Sequence, residues 1–375
     1  MKANMKKALI IGGGLSGMCA AIQLRKVGIN VDLIELDSNW SPLGAGITLA
    51  APTLRALETV GVIDEVLTHG YCFDNIDIRT AHGALIAQVP TPKPVGSNQS
   101  GAGILRPVLA SILSRAVREA GVNIRLGISY ESIEQDDAGV DVRFTDGSAE
   151  HYEFVIGADG LHSSLRDMLF PHAEKPRYTQ QACWRAVVDR PAEIERTTFW
   201  MGPQGKVGVT PISDTKMYLF MNEMRPTTDR PVAEKWPGML AELVKPFDAP
   251  VLQQLLPQIE SSASVDFRSL HNLLMPLPWH KGRIVLIGDA VHATTPHLAS
   301  GAGIGIEAAL VLVEELVKST SVKEAFEWFG VRHWERGSLV VKNSAKLVEI
   351  ENGHGNKEDH PKIVAGSMQA LAQPI

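Results

Sequence analysis

Apolar positions along the chain recur with two periods, and the switches between them mark out its elements. The chain opens with a short apolar run, Ala8 to Ile11, and a glycine-rich turn. Met18, Ala21, Ile22 and Leu24 then recur at helical spacing up to a stop at Gly28, and a second apolar run, Val31 to Ile34, ends in Glu35. This predicts strand, turn, helix and strand. Pro52 opens an amphipathic helix carrying Leu54, Leu57 and Val60. Alternation from Phe73 to Val89 around His82 and Gly83 predicts a hairpin, and Pro90 to Gly103, rich in proline and glycine, predicts a loop. Ile104 to Gly121 reads as a helix with Leu109, Ile112, Leu113 and Ala116 on one face and Arg106 at its start. Strands are expected from Val122 to Phe154, turning at Asp136 to Gly139 and at Asp146 and Gly147.

From Thr179 to Asn222 the pattern is entirely β, with turns at Pro203 to Gly205 and Ser213 to Thr215, and predicts a second, antiparallel sheet. A mixed helical segment, Ala233 to Ile259, closes it. A buried strand, Ile284 to Ile287, then carries Gly288 and Asp289 at its tip, before a glycine-rich loop and a long helix from about Gly303. The chain stays helical through about Ile350 with Phe326, Phe329 and Trp334 inward, and residues 351–375 are expected to be loosely ordered.

The opening unit is chemically specific. Gly12, Gly14 and Gly17 form G-x-G-x-x-G where the chain must turn, approach a pyrophosphate and pack a helix closely, and the free N–H groups of that helix's first turn suit a phosphate. Glu35, at the tip of the next strand, is placed to accept hydrogen bonds from ribose hydroxyls. An ordinary glycine-rich turn would not need that acid. Gly44 and Gly46 bracket a tight loop that suits close approach of backbone to something flat or bulky. Asp159 with Gly160, and Gly288 with Asp289, each follow an apolar strand.

Composition narrows the partners. A net charge of −6, a pI near 6.1 and the lack of any Lys/Arg run argue against nucleic acid. Cys19, Cys72 and Cys183 are far apart, without disulfide or metal spacing, and read as buried thiols in a reducing, cytoplasmic compartment. The N-terminal lysines precede an apolar run that breaks at Gly12, too short for a signal peptide. No apolar run is long enough for a transmembrane segment. His292 and His297 lack a third ligand nearby in sequence, so no metal is expected. No G-x-S-x-G elbow occurs.

Three separated segments carry a joint signal: GGGLSG with Glu35, GADGLHSSLR at 157–166 and IGDAVHATTP at 287–296. Together, at spacings of about 140 and 130 residues, they resemble the FAD-dependent group A aromatic monooxygenases. QACWRAVV at 181–188 and KVGVTPISDTKMYLF at 206–220 are similar to the salicylate hydroxylase, urate hydroxylase and 2-alkylquinolone 3-hydroxylase branch. The resemblance implies an α/β fold: a Rossmann-like FAD-binding domain (1–75, 102–178 and 275–350), an interleaved antiparallel-sheet substrate domain (76–101 and 179–274) and C-terminal helices. It implies FAD on the turn of Gly12, Gly14 and Gly17, with Glu35 on the adenosine ribose. Gly46 is grouped with these cofactor positions. Arg106 would contact the phosphate and ribityl region, Asp159 would serve both FAD and NAD(P)H, and Gly288 and Asp289 would serve the ribitol. Pro296 would lie beside the flavin ring.

After Pro296 many members read G-Q-G-x-N-x-A-I-E-D-A, whereas this chain has Ala299, Ser300, Gly301, Ala302, Gly303, Ile304, Gly305, Ile306, Glu307, Ala308, Ala309. The amide side chains are missing. A small-residue loop leading into a helix N-terminus still aims N–H groups from Gly301, Ala302 and Gly303 at the flavin N1 and C2 carbonyl. The implied activity is NAD(P)H-dependent hydroxylation by O₂ of a small hydroxylated aromatic or N-heteroaromatic compound through a flavin C4a-hydroperoxide. NADH and NADPH remain open. Lys206 and Tyr218, an even number of residues apart, share a face if both lie in regular strands, and there they would favour a phenolate or enolised ring oxygen. A flavin-dependent epoxidase or halogenase on the same fold is the nearest alternative, although none of the seven tryptophans stands in a W-x-W-x-x-P element. An NAD-dependent dehydrogenase would leave GADG and GDAVH unexplained, and a non-catalytic FAD-binding scaffold would not reoxidise productively with any substrate.

Overall fold

A computed structural model describes residues 6–40, 44–93, 100–202, 205–262 and 264–375. The first sheet has six strands in the order His280–Lys281, Ile284–Leu286, Phe154–Gly157, Lys7–Ile11, Asn30–Glu35 and Asn123–Leu126. All but the two-residue edge strand run parallel. Helices such as Leu15–Lys26 and the three-stranded antiparallel sheet of Tyr130–Gln135, Val140–Phe144 and Ala149–Tyr152 cover its faces, so its central strands are apolar on both sides: Leu9, Ile10, Val155, Ile156, Val285 and Leu286 have no exposed surface. Register sets Ile11 beside Ile34 and Gly157, and Gly157 beside Leu286. Gly12, Glu35, Asp159 and Gly288–Asp289 therefore all leave the same, C-terminal edge of the sheet.

A seven-stranded sheet follows the order Asp266–Asn272, Arg177–Asp189, Lys216–Met224, Gly205–Pro211, Thr197–Gly202, Asn75–Thr80 and Leu85–Pro90. It is antiparallel except where Thr197–Gly202 meets Asn75–Thr80. One face, with Trp184, Ala186, Val207, Val209, Met217 and Leu219, packs on the helices Trp236–Val244 and Pro250–Glu260 to make a second core. The opposite face carries Cys183, Arg185, Val187, Lys206, Gly208, Thr210, Tyr218, Phe220 and Asn222 in register. It turns toward the first sheet across the small sheet of Gly46–Ala50, Gly101–Leu105 and Tyr71–Phe73.

Several expectations need correction. Gly101–Gly103 of the anticipated loop and Ile104–Leu105 of the anticipated helix form a strand, and the helix itself begins at Arg106, where Pro107 suits the first turn; residues 94–99 lie outside the described residues, as do Pro203 and Gln204 of the anticipated turn. The helix after the glycine-rich loop runs Gly301–Lys318, two residues earlier than the pattern suggested. Cys72 is exposed rather than buried. The tail is not loose: Asp359–Ala372 is a helix with Ser367 and Leu371 buried. It is held because Arg336 and Arg55 donate to the end carbonyls of Leu371, Ala372 and Gln373, while both arginines also sit on buried Glu307. No helix among the described residues is long and apolar enough to cross a membrane.

Candidate active site

The glycine turn is built by exclusion of side chains. Gly12 has φ +106°, and a Cβ there would overlap the Ala158 carbonyl, while a Cβ on Gly17 would overlap the Gly12 carbonyl. Gly14 faces open space as N-cap of the helix Leu15–Lys26, and no side chain caps it. The first-turn N–H groups are thus left for a ligand. Glu35 is held at this turn: Oε2 accepts from the Gly13 N–H at 2.7 Å and Oε1 from the Asp37 N–H at 2.9 Å. Trp40, which the sequence reading passed over, donates its indole N–H to the Gly13 carbonyl at 2.8 Å.

The second motif is tied to the third by Arg166, the last residue of GADGLHSSLR, whose role the sequence did not indicate. Its side chain is 1% exposed and donates to the carbonyls of Leu161 and Ala290, each at 3.0 Å. Asp159 accepts from the Leu165 N–H through Oδ2, whereas Oδ1 is buried with no partner among the described residues. Burial pushes this carboxyl above the ordinary value, against the hydrogen bonds it accepts. Asp289 has accessible surface although protein surrounds it, the condition of a carboxylate lining a deep cleft. Desolvation raises it and Arg106 opposes that. Arg106, likewise enclosed, is pushed down by desolvation and by Arg185, and up by Asp289.

Pro296 opens a single 3-10 turn, Pro296–Leu298, and Ala299 takes a left-handed φ of 49° to swing the chain into the helix Gly301–Lys318. Ser300, at its N-cap, bonds the Leu298 carbonyl instead of capping the helix. A second uncapped N-terminus, at Gly301, Ala302 and Gly303, therefore lies near the tip that bears Asp289. Gly303 and Gly305 let this helix sit tightly on Thr53 and Ser16.

Lys206 and Tyr218 do share a face. Thr210 pairs with Tyr218 and Val207 with Met221 in an unbroken register, which sets Lys206 four residues along the strand from Tyr218's partner, about 14 Å. Neither polar group is free. Lys206 Nζ is 2.7 Å from Glu351 Oε1, with only 16% and 19% of the two side chains exposed. The Tyr218 hydroxyl hydrogen-bonds Thr48, whose hydroxyl is 3.1 Å from that of Thr210. A Cβ on Gly46 would overlap the Tyr218 ring, which explains that glycine. Between Lys206 and Tyr218 lie Gly208 and the stacked edge of Phe220, whose ring centroid is 5.3 Å from Tyr218 and 5.7 Å from Phe199. His297 beside Pro296 has a fully buried ring, with Nε2 3.0 Å from Glu351 Oε2 and Nδ1 2.9 Å from the Thr295 hydroxyl. Thr48, His297 and Glu351 lie outside every motif, and Thr210 was one unmarked residue within KVGVTPISDTKMYLF; contacts spanning up to 170 residues of sequence bring them here.

His292 pairs with His333 rather than with a metal ligand set: their rings are 5.1 Å apart against Trp279, and none of the four ring nitrogens has a partner among the described residues. No metal-holding cluster of three or more His, Cys, Asp or Glu occurs among the described residues.

Four strand tips, two uncapped helix N-termini and a second sheet with an aromatic face define a dinucleotide-binding α/β protein. Residues 5–323 match the family model described as FAD binding domain. The chain is 31% identical to the 2-heptyl-3-hydroxy-4(1H)-quinolone synthase of Pseudomonas aeruginosa, covering 97% of this chain and 99% of that one. It is 31% identical to the 6-hydroxynicotinate 3-monooxygenase of Bordetella bronchiseptica, covering 89% of each. The solved structure of Klebsiella pneumoniae HpxO complexed with FAD and uric acid shares the fold, with a TM-score of 0.81 at 23% identity over 99% of this chain and 94% of that chain. The chain belongs to this FAD-binding family and, within it, to the FAD-dependent aromatic monooxygenases of group A.

Proposed function

We propose that the protein uses NAD(P)H and O₂ to hydroxylate a small hydroxylated aromatic or N-heteroaromatic ring, ortho or ipso to its ring oxygen, in the cytoplasm. FAD supplies the chemistry: reduced by hydride, it activates O₂. The chain's part is to bind, orient and exclude water. In this reading the first sheet and its helices hold FAD. Its pyrophosphate lies on Gly12, Gly14 and Gly17 at the helix N-terminus, and its adenosine ribose on Glu35. Arg106 neutralises phosphate, Asp159 and Gly160 border the nicotinamide approach, and Asp289 after Gly288 accepts from the ribitol hydroxyls. The N–H groups of Gly301, Ala302 and Gly303 supply positive potential where the reduced ring carries its anion.

The observation that carries the reading is the meeting of these groups at one sheet edge, opposite an apolar aromatic wall of Phe199, Phe220 and Tyr218. Ring faces of that kind suit an aromatic substrate. The relatives support it: a hydroxyquinolone, a hydroxynicotinate and uric acid are all oxygenated nitrogen heterocycles. Pro296 and Gly46 shape the gap between the flavin and this wall. The test is purification followed by flavin quantification and a screen of such rings for accelerated NAD(P)H oxidation with hydroxylated product. One FAD per chain and coupled product are expected; a colourless protein that cannot be reconstituted with FAD overturns the reading.

A further inference from the structure

Glu351 ends the long helix Val322–Glu351 and reaches the ring-facing side of the seven-stranded sheet, where it also meets His297, next to Pro296 at the end of the third motif. Three nitrogen groups converge on its carboxylate: Lys206 Nζ at 2.7 Å and His360 Nε2 at 3.3 Å on Oε1, and His297 Nε2 at 3.0 Å on Oε2. Burial alone would raise this carboxyl, but the Lys206 charge and the hydrogen bonds of His297 and His360 outweigh it and hold it far below the ordinary value. Burial conversely pushes His297 below its usual value, against Glu351. Lys206 and Glu351 bring opposite full charges within 2.7 Å of each other. Asn222 lies 3.3 Å from His297, and Cys183 is the nearby thiol on the same face. Arg185, one same-face position further, has its own ion pair with Asp266 at 3.7 Å.

We propose that Glu351 is a positioning residue that neutralises Lys206 and so removes it from the role of counter-ion to an anionic ring. The inference rests on the reading of this face as the substrate wall. A free lysine 14 Å or so from Tyr218 would attract the oxyanion or carboxylate of any aromatic acid that entered. A lysine in a short, enclosed ion pair does not, because an incoming anion would have to displace a carboxylate that is already desolvated and held by two further groups. Discrimination on this side of the cleft then comes from ring shape against Phe199, Phe220 and Tyr218, not from charge at Lys206.

Removing the carboxylate charge alone tests this. Binding of benzoate, salicylate and 4-hydroxybenzoate to the FAD-loaded protein is followed by perturbation of the flavin absorbance and by calorimetry. Glu351→Gln is expected to tighten at least one of the three acids tenfold or more over wild type, and Lys206→Met added to it is expected to abolish that gain. No tightening in Glu351→Gln, or a gain that survives Lys206→Met, overturns the proposal. Should Glu351→Gln not fold, the double variant, which leaves no unpaired charge, carries the test: each acid is expected to bind within threefold of wild type, and a tenfold loss for any of them shows Lys206 to be the counter-ion. Flavin content and NAD(P)H-driven turnover are read in parallel. A chain without flavin fails the functional reading, whereas a yellow, active chain whose acid binding ignores Glu351 fails this inference alone.

Discussion

Substituting leucine for His292 should remove a pH dependence that the fold imposes on its own stability. His292, within the third motif, has its ring against Trp279 and His333, and Gly337 on the long helix leaves it room. Complete burial lowers its pKa from 6.5 to about 4. The folded protein therefore resists a proton that the unfolded chain accepts. Above pH 6.5 the ring is neutral in both states and contributes nothing; as pH falls below 6.5 the unfolded state gains the proton first, and stability is lost until about pH 4. The full shift, from 6.5 to about 4, corresponds to about 3 kcal/mol, of which about 2 kcal/mol is reached at pH 5. His333, also held well below its ordinary value by burial, acts with the same sign. Asp159 and Asp289, raised by burial, act with the opposite sign and are untouched by the substitution. Urea unfolding of FAD-saturated protein at pH 8 and pH 5, at one ionic strength, measures the difference. His292→Leu should lose about 2 kcal/mol less than wild type between those pH values, within the error of the extrapolation. Equal losses in both proteins would refute the argument that His292 is kept neutral by burial.

Asp289→Ala should weaken FAD binding by about 1–3 kcal/mol, because ribitol hydroxyls would lose their acceptor in the cleft; fluorescence titration of the deflavinated protein reads it. Arg336→Met should destabilise the protein by about 3–5 kcal/mol, since Glu307, 2% exposed at its side chain, would keep only the 3.7 Å contact with Arg55 while the C-terminal helix loses one of its two arginine donors, Arg55 keeping the carbonyls of Ala372 and Gln373; denaturant midpoints check it. Gly46→Val should cost about 1–3 kcal/mol and displace the Tyr218 ring from Thr48, which a peroxide assay beside product quantification would register as poorer coupling. Tyr218→Phe, which removes the hydroxyl but keeps the ring, should show the smaller coupling defect of the two in the same assay.

The local chemistry of the flavin site was legible in the sequence because each piece is short and its physics is local. A turn that tolerates no Cβ at Gly12 and Gly17, an acid at the next strand tip, and Gly288–Asp289 after a fully apolar strand all follow from steric and burial rules acting over a few residues. The shared face of Lys206 and Tyr218 was legible for the same reason, since strand parity needs only an unbroken register. What those side chains touch was not. Tyr218 meets Thr48 across 170 residues, and Lys206 meets Glu351 across 145, in a segment whose polar composition suggested a loose tail. That segment is ordered by Arg55, Arg336 and Glu307, which come from three different helices and share no sequence pattern. Periodicity determines which face of an element is buried. Only the packing of whole elements decides which buried charges find each other, because that choice minimises desolvation over the entire fold rather than over any window of the chain.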